Sequence, residues 1–198
     1  MKKYTYIATL FAIILFGSTL VFAQTDTPKF DDALMADFSN GMQGDSASYE
    51  RAMAKANKIL AANPKDSQTL VWAGSATLAQ SGQAFMSGNF AEGGKMWAEG
   101  RRKMDDAVSL DGENIEVLIV RGSTYIGASA KYPVKEEADK LRSLGTADLE
   151  KIISSTEGKT DGKSVGIRTK AINIFVKHYT ETGDKEKAES YKKMLTAK

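Results

Sequence analysis

Apolar residues recur every three or four positions along most of the chain, which is the spacing of amphipathic helices facing a core. The clearest stripe lies between residues 47 and 62 and consists of Tyr49, Ala52, Met53, Ala56, Ile59 and Leu60. Comparable stripes predict further helices at about residues 30–38, 66–82, 89–110, 114–130, 135–156, 165–181 and 185–196. No alternating run is long enough to predict a sheet. The pattern therefore predicts an all-α protein.

Proline and glycine mark the expected breaks between these helices. Gly41 and Gly44 are expected to end the first helix, and residues 82–88, with a glycine at each end, are expected to form a flexible loop. Gly145 is a possible division of the helix over residues 135–156. These breaks join the helices into successive antiparallel hairpins.

Two segments of the chain repeat each other 48 residues apart. Residues 63–78 align without a gap on residues 111–126, and both contain a turn, a helix cap, a leucine and a glycine. Asp66 and Asn114 are expected to cap the following helix by accepting from its first amides. A repeat period in this range indicates stacked helical hairpins.

This arrangement resembles the tetratricopeptide repeat, in which a small residue on the first helix lets the second helix approach closely. Gly74 and Gly122 suit that position, and Ala171 takes it in the last pair. Ala56 and Ala107 match the alanine near the end of the second helix. The resemblance covers about residues 46–196, with a 48-residue period in place of the usual 34 or so. It implies a short right-handed stack whose inner surface holds a partner.

A second resemblance concerns the middle of the chain. Residues 104–117, with Tyr132, Pro133 and residues 148–150, look like a group of uncharacterised exported bacterial proteins. This likeness implies an extracytoplasmic bacterial setting.

The N-terminus predicts export. Lys2 and Lys3 precede residues 7–23, a 17-residue stretch without charge that ends in Val21-Phe22-Ala23. A basic start, a short apolar stretch and a small-residue exit are typical of a cleaved signal peptide, and a retained membrane anchor is the alternative. We therefore divide the chain into a signal peptide (1–23), a polar leader with a short helix (24–45) and a tetratricopeptide-like domain (46–198).

Charge and cysteine content narrow the function classes. Of the 27 basic residues two are Lys2 and Lys3, so a chain beginning at Gln24 has 25 basic and 25 acidic residues. A neutral chain is not attracted as a whole to nucleic acid or to an anionic membrane. The chain has no cysteine, which rules out disulfides, thiol nucleophiles and thiolate metal sites.

Residues for catalysis are sparse, and we expect a protein that is not an enzyme and uses no cofactor or metal. His178 is the only histidine and lies beside an apolar stripe, where a structural role is expected. The acids near residues 111–114 and 157–161 lack the spacing of a calcium loop. The glycines of residues 82–94 lack the Lys-Ser or Lys-Thr that completes a phosphate-binding loop.

Binding is the remaining function class. Phe85 and Met86 lie in the predicted loop, where a soft apolar patch would fit an irregular partner. Tyr125, Tyr132 and Arg121 are expected on the concave surface of the stack. We therefore expect an exported, periplasmic or extracellular helical-repeat protein that binds a protein or peptide in the bacterial envelope. The alternative is an accessory component of an envelope transport system that binds a small molecule or lipid.

Overall fold

The computed structural model describes residues 28–196, and within them all regular structure is helical. The predicted signal peptide therefore lies outside the described residues. The helices of this part of the chain are α1 (Asp32–Met42), α2 (Ser46–Ala62), α3 (Ser67–Met86), α4 (Phe90–Leu110), α5 (Ile115–Ser129), α6 (Lys135–Ser155), α7 (Gly162–Glu181) and α8 (Lys185–Thr196). The all-α prediction is confirmed for these residues.

The helices pair in chain order. Helix α1 packs on α2, α3 on α4, α5 on α6 and α7 on α8. Their short connections make each pair an antiparallel hairpin, and the predicted boundary at residue 46 falls inside the first one. Each odd-numbered helix also packs on the next odd-numbered helix, and each even-numbered helix packs on the odd-numbered helix that follows it. The four odd-numbered helices thus form one continuous face.

Capping side chains explain where the helices begin. Asp66 accepts from the Thr69 amide at 2.8 Å, and Asn114 accepts from the Glu116 amide at 3.0 Å, as the repeat predicts. Asn89 accepts from the Glu92 amide at 3.4 Å and begins α4. Each such bond satisfies an amide that has no partner inside the helix.

Pairs of glycines bring the two helices of a hairpin into close contact in α3–α4 and in α5–α6. A β-carbon at Gly74 would lie 2.7 Å from the Gly100 carbonyl oxygen, and one at Gly145 would lie 2.9 Å from the Gly122 carbonyl oxygen. Both distances are too short for a side chain, so the helix backbones touch at these crossings. Gly74 and Gly122 were predicted to lie at such contacts, and their partners Gly100 and Gly145 were not.

Three predicted breaks are wrong. Residues 82–86 continue α3 instead of forming a loop, which leaves only residues 87–89 as the connection to α4. Gly145 lies within a continuous α6 because it belongs to a helix crossing. Gly41 lies within α1, where a β-carbon would come within 2.8 Å of Tyr49 on α2. The errors at Gly145 and Gly41 arise because a glycine at a helix contact has the same sequence appearance as a glycine at a turn, whereas Gly82 lies on an exposed part of α3 with no atom within 4 Å of a β-carbon built there.

Helix α3 is the centre of the fold. It contacts α1, α2, α4 and α5, and none of its twenty residues is charged. One core cluster joins α3 to α4 and to the two later hairpins, and a second joins α3 to α1 and α2. Trp72 packs against both clusters and stacks on Phe30 and on Phe38, at ring-centroid distances of 6.3 and 6.2 Å. Neighbouring helices enclose α3 on several sides, and a helix in such a position has few or no charged residues.

Candidate functional site

Parallel contacts hold α3 beside α5. The Gln68 amide donates to Glu116 at 2.8 Å near the start of both helices. Further along, the Thr124 hydroxyl donates to the Val120 carbonyl at 2.7 Å and lies 2.8 Å from the Ser75 hydroxyl. Because the Thr124 hydrogen is directed to that carbonyl, Ser75 is the donor to Thr124. The two helices therefore run side by side in register on the face of the odd-numbered helices.

A groove of about 360 Å³ lies on this face and includes residues from all four odd-numbered helices. Its lining is Ser39, Met42, Gln43, Trp72, Ser75, Val120, Ser123, Thr124 and Lys170. Ser75 is the deepest polar residue, with 3% of its surface exposed, and its hydroxyl lies 3.3 Å from the Met42 sulfur. We call this cavity the odd-helix groove.

The lining of the odd-helix groove combines small hydroxyls with apolar surface and one charge. Lys170 on α7 is exposed, and no carboxylate of the described residues lies within 4.0 Å of its ammonium. Lys163 and Lys177, seven residues to either side, pair with Glu116 at 3.0 Å and Glu181 at 3.9 Å. Because no acid lines the groove, its electrostatic potential favours an anionic group near Lys170.

Two residues predicted at the concave surface lie elsewhere. Tyr125 has no exposed surface, and Arg121 is 9% exposed. Arg121 donates twice to Asp148 on α6, at 2.7 Å each, and once to Asp105 on α4, at 3.2 Å. Their predicted position on the concave surface is wrong, since their helical positions direct them toward α4 and α6.

Tyr125 completes this buried cluster. Burial raises the pKa of the Tyr125 phenol, so the hydroxyl stays protonated and donates to Asp105 at 2.8 Å. Burial also raises the pKa of the Asp148 carboxyl, and the two hydrogen bonds from Arg121 oppose that rise. The cluster therefore joins α4, α5 and α6, and its function is structural.

The remaining residues predicted to contact a partner are Phe85, Met86 and Tyr132. They lie at the end of the stack where odd-numbered helices connect to even-numbered helices. Met86 is 84% exposed, while Phe85 is half-buried, with its ring 6.4 Å from that of Phe90. Tyr132 stacks on Trp97 of α4 at 4.5 Å and is half-buried. None of these residues lines the odd-helix groove.

His178 lies on α7 with 6% of its surface exposed, and its ring meets Tyr179 edge-on at 5.2 Å. Among residues 28–196 no three metal-binding side chains are grouped closely enough to hold an ion. Burial lowers the pKa of the His178 imidazole, and the charge of Arg142 adds to that effect. The histidine is therefore neutral in the folded protein near pH 7.

This lowered pKa predicts a loss of stability in mild acid. An unfolded histidine titrates near pH 6.5, above the folded group, so the unfolded chain binds more protons as pH falls through that value. We expect the free energy of unfolding of the native protein to fall more between pH 7.5 and 5.5 than that of the His178→Gln variant. Urea unfolding at several pH values measures both. Equal pH dependence in the two proteins would contradict the burial of a neutral imidazole.

The groove residues were missed in the sequence although the repeat contains a signal for them. Ser75 follows Gly74 and Ser123 follows Gly122, so each repeat places a serine beside its crossing glycine. One position around a helix is about 100°, which turns these serines away from the crossing and toward the shared face. Lys170 has no counterpart in the repeat, and its sequence offers no comparable signal.

Comparisons with known proteins leave the family open. No protein-family model matches the chain, and no curated protein or solved structure shows significant similarity to it. In the described part of the chain, no helix has the length and apolar character needed to cross a membrane. The fold and the groove are therefore the basis for the function proposed below.

Proposed function

We propose that this chain is an exported, non-catalytic helical-repeat protein that binds a segment of another protein or peptide in the bacterial envelope. The observation that carries the proposal is the odd-helix groove, to which all four hairpins contribute through their first helices. Repeat proteins commonly use an extended surface of this kind to hold partners. Export is proposed from residues 1–23 alone.

A tetratricopeptide-like organisation is part of the same proposal. It is supported by the hairpin order and by the matching crossings at Gly74 with Gly100 and Gly122 with Gly145. The first helices of the two hairpins repeat at a different period from the second helices. Gly74 and Gly122 are 48 residues apart, whereas Gly100 and Gly145 are 45 residues apart. The five additional residues of α3, less the two fewer residues in the connection after it, account for this difference of three.

The groove chemistry defines the segment that we expect it to bind. Met42, Trp72 and Val120 offer apolar surface, and the serine and threonine hydroxyls exchange hydrogen bonds with a peptide backbone. Lys170 adds a cation without a carboxylate partner among the described residues. The best segment therefore has a small apolar side chain followed or preceded by Asp or Glu.

Filling the groove tests this proposal. Ser123 lines the groove, is half-buried and donates to the carbonyl three residues before it at 3.1 Å. Peptides selected from a displayed random library against the native chain are expected to bind the Ser123→Trp variant at least about tenfold more weakly, because an indole occupies their site. Fluorescence anisotropy with the labelled peptides measures the dissociation constants.

A matched control is available on α6. Ser154 also donates to the carbonyl three residues before it at 3.1 Å, but it is exposed and outside the groove. Ser154→Trp is expected to leave peptide affinity unchanged. Peptides that bind Ser123→Trp as tightly as the native chain, or a library that yields no specific peptide, would contradict the proposed function.

Binding of a small molecule or lipid is the alternative, and one observation favours it. A volume of about 360 Å³ lies within the range of small-ligand pockets, roughly 300–1,000 Å³. No residue between positions 85 and 97 lines this groove. Native mass spectrometry of the purified chain distinguishes the two, since a retained small ligand adds a fixed mass that Ser123→Trp removes.

A further inference from the structure

The end of the α3–α4 hairpin carries the two most exposed large apolar side chains of the described residues. Met86 is 84% exposed and Phe90 is 70% exposed, on either side of the short connection. Phe85 lies behind them and packs on α4. A β-carbon built at Gly93 of α4 would lie 2.7 Å from the Phe85 ring. We call Phe85, Met86 and Phe90 the apolar tip.

The tip is exposed because the side of α4 that packs on the α5–α6 hairpin extends beyond the end of that hairpin. Trp97 stacks on Tyr132 at 4.5 Å, and Arg101 pairs with Glu137 at 3.0 Å, so this side of α4 packs on the α5–α6 hairpin. Phe90 lies on the same side of α4, seven residues before Trp97, where that hairpin has ended. This side of α4 therefore exposes apolar surface to solvent at Phe90.

The extra length of α3 extends the tip further. In the repeat, Ser81 aligns with Ser129, the last residue of α5. Helix α3 continues five residues beyond Ser81, to Met86, which adds about 7.5 Å at 1.5 Å per residue. These five residues are the irregularity of the repeat, and they end in the most exposed apolar residue.

The size of the tip indicates what covers it. Met86 and Phe90 together expose roughly 300 Å², since a large apolar side chain offers about 150–250 Å². A stable dimer or protein complex covers about 800 Å² on each partner, far more than the tip supplies. A bilayer surface needs no matching shape and accepts two adjacent apolar side chains at the end of a hairpin.

The charges beside the tip suit the same occupant. Between residues 67 and 98 the only acid is Glu92. Lys95 follows on α4, and Lys131 precedes the Tyr132 ring that stacks on α4. Both lysines are exposed, and neither has a carboxylate within 4.0 Å among residues 28–196. Lysines beside an apolar prong attract the phosphates of lipid headgroups.

We propose that the apolar tip inserts into the surface of a phospholipid bilayer, with Met86 and Phe90 among the acyl chains and Lys95 and Lys131 at the headgroup phosphates. On α3 the odd-helix groove is lined by Trp72 and Ser75, at least eleven residues or about 16 Å before Met86 along the helix, so it stays open when the tip is inserted. Membrane attachment through the tip is thus independent of the peptide binding proposed above.

Vesicle sedimentation tests the attachment. The chain beginning at Gln24 contains helices α1 to α8 and lacks the apolar residues 7–23, which would bind vesicles themselves. We expect it to bind vesicles of phosphatidylethanolamine and phosphatidylglycerol (3:1), and Met86→Ser/Phe90→Ser to weaken binding about tenfold or more. Lys95→Glu/Lys131→Glu is expected to weaken binding to these vesicles, about fivefold for each lysine, and to change binding to phosphatidylcholine vesicles little.

The control uses equally apolar side chains at the opposite end of the stack. Leu110 is 44% exposed and Val165 is 46% exposed, and Leu110→Ser/Val165→Ser is expected to bind vesicles like the native chain. Circular dichroism checks that every variant is folded. The proposal is overturned if the native chain does not sediment with vesicles, or if the control variant loses as much binding as the tip variant. Pairing of two chains in solution that requires Met86 and Phe90 would overturn it as well.

Discussion

The Gly100→Ala variant is expected to lose about 2–3 kcal/mol of unfolding free energy, although alanine is the better helix former. A β-carbon at this position would lie 2.7 Å from the Gly74 carbonyl oxygen and 2.8 Å from the Leu78 nitrogen. Both are backbone atoms, so α3 and α4 must move apart over their whole contact. Overpacking of this kind typically costs about 1–3 kcal/mol and occasionally more. Chemical unfolding followed by circular dichroism measures the loss.

Gly94 on the same helix supplies the control. No atom lies within 4 Å of a β-carbon built at Gly94, so Gly94→Ala should gain roughly 0.5–1 kcal/mol from helix propensity alone. The two substitutions are chemically identical and lie six residues apart on α4. Equal changes in stability would contradict a backbone contact at Gly100.

These crossings also show how far the repeat could be predicted. The gapless alignment identified Gly74 and Gly122 because both belong to first helices, where the spacing is 48 residues. It missed Gly100 and Gly145, which are 45 residues apart. Helix α3 is five residues longer than the matching part of α5, while the connection after it is two residues shorter, and the difference of three displaces the second helices. A shift in register of this kind follows from tertiary structure and not from a fixed period.

The candidate site was harder to predict than the fold, for a geometrical reason. Arg121 and Tyr125 are four residues apart on α5 and share a face, which the sequence suggested was the open one. Thr124 lies one position away, about 100° around the helix, and it is Thr124 that lines the groove. A large polar side chain is usually exposed, so only the positions of α4 and α6 reveal that Arg121 is enclosed.

The interior ion pair gives the other large expected effect. Asp148→Ala is expected to lower the free energy of unfolding by about 3–5 kcal/mol, because it leaves a buried guanidinium without its main acceptor. The side chains of Arg121 and Asp148 are only 11% and 4% exposed, and the remaining contact to Asp105 is longer, at 3.2 Å. Urea unfolding measures the loss, and Asp106→Ala is the control. Asp106 pairs with Arg102 at the surface, where both side chains are at least half exposed, so its removal should cost less than about 1 kcal/mol.

Removing both charges together distinguishes a buried ion pair from simple loss of packing. Arg121→Met/Asp148→Leu keeps similar volumes and leaves no buried charge unpaired, and such replacements are often close to neutral. Asp105 retains its hydrogen bond from the Tyr125 hydroxyl at 2.8 Å, so no new polar group is stranded. We therefore expect the double variant to be more stable than Asp148→Ala, although it carries one more substitution. If its loss equals the sum of the losses of Arg121→Met and Asp148→Leu measured singly, the pair does not act as a unit, and packing around α5 and α6 carries the stability instead.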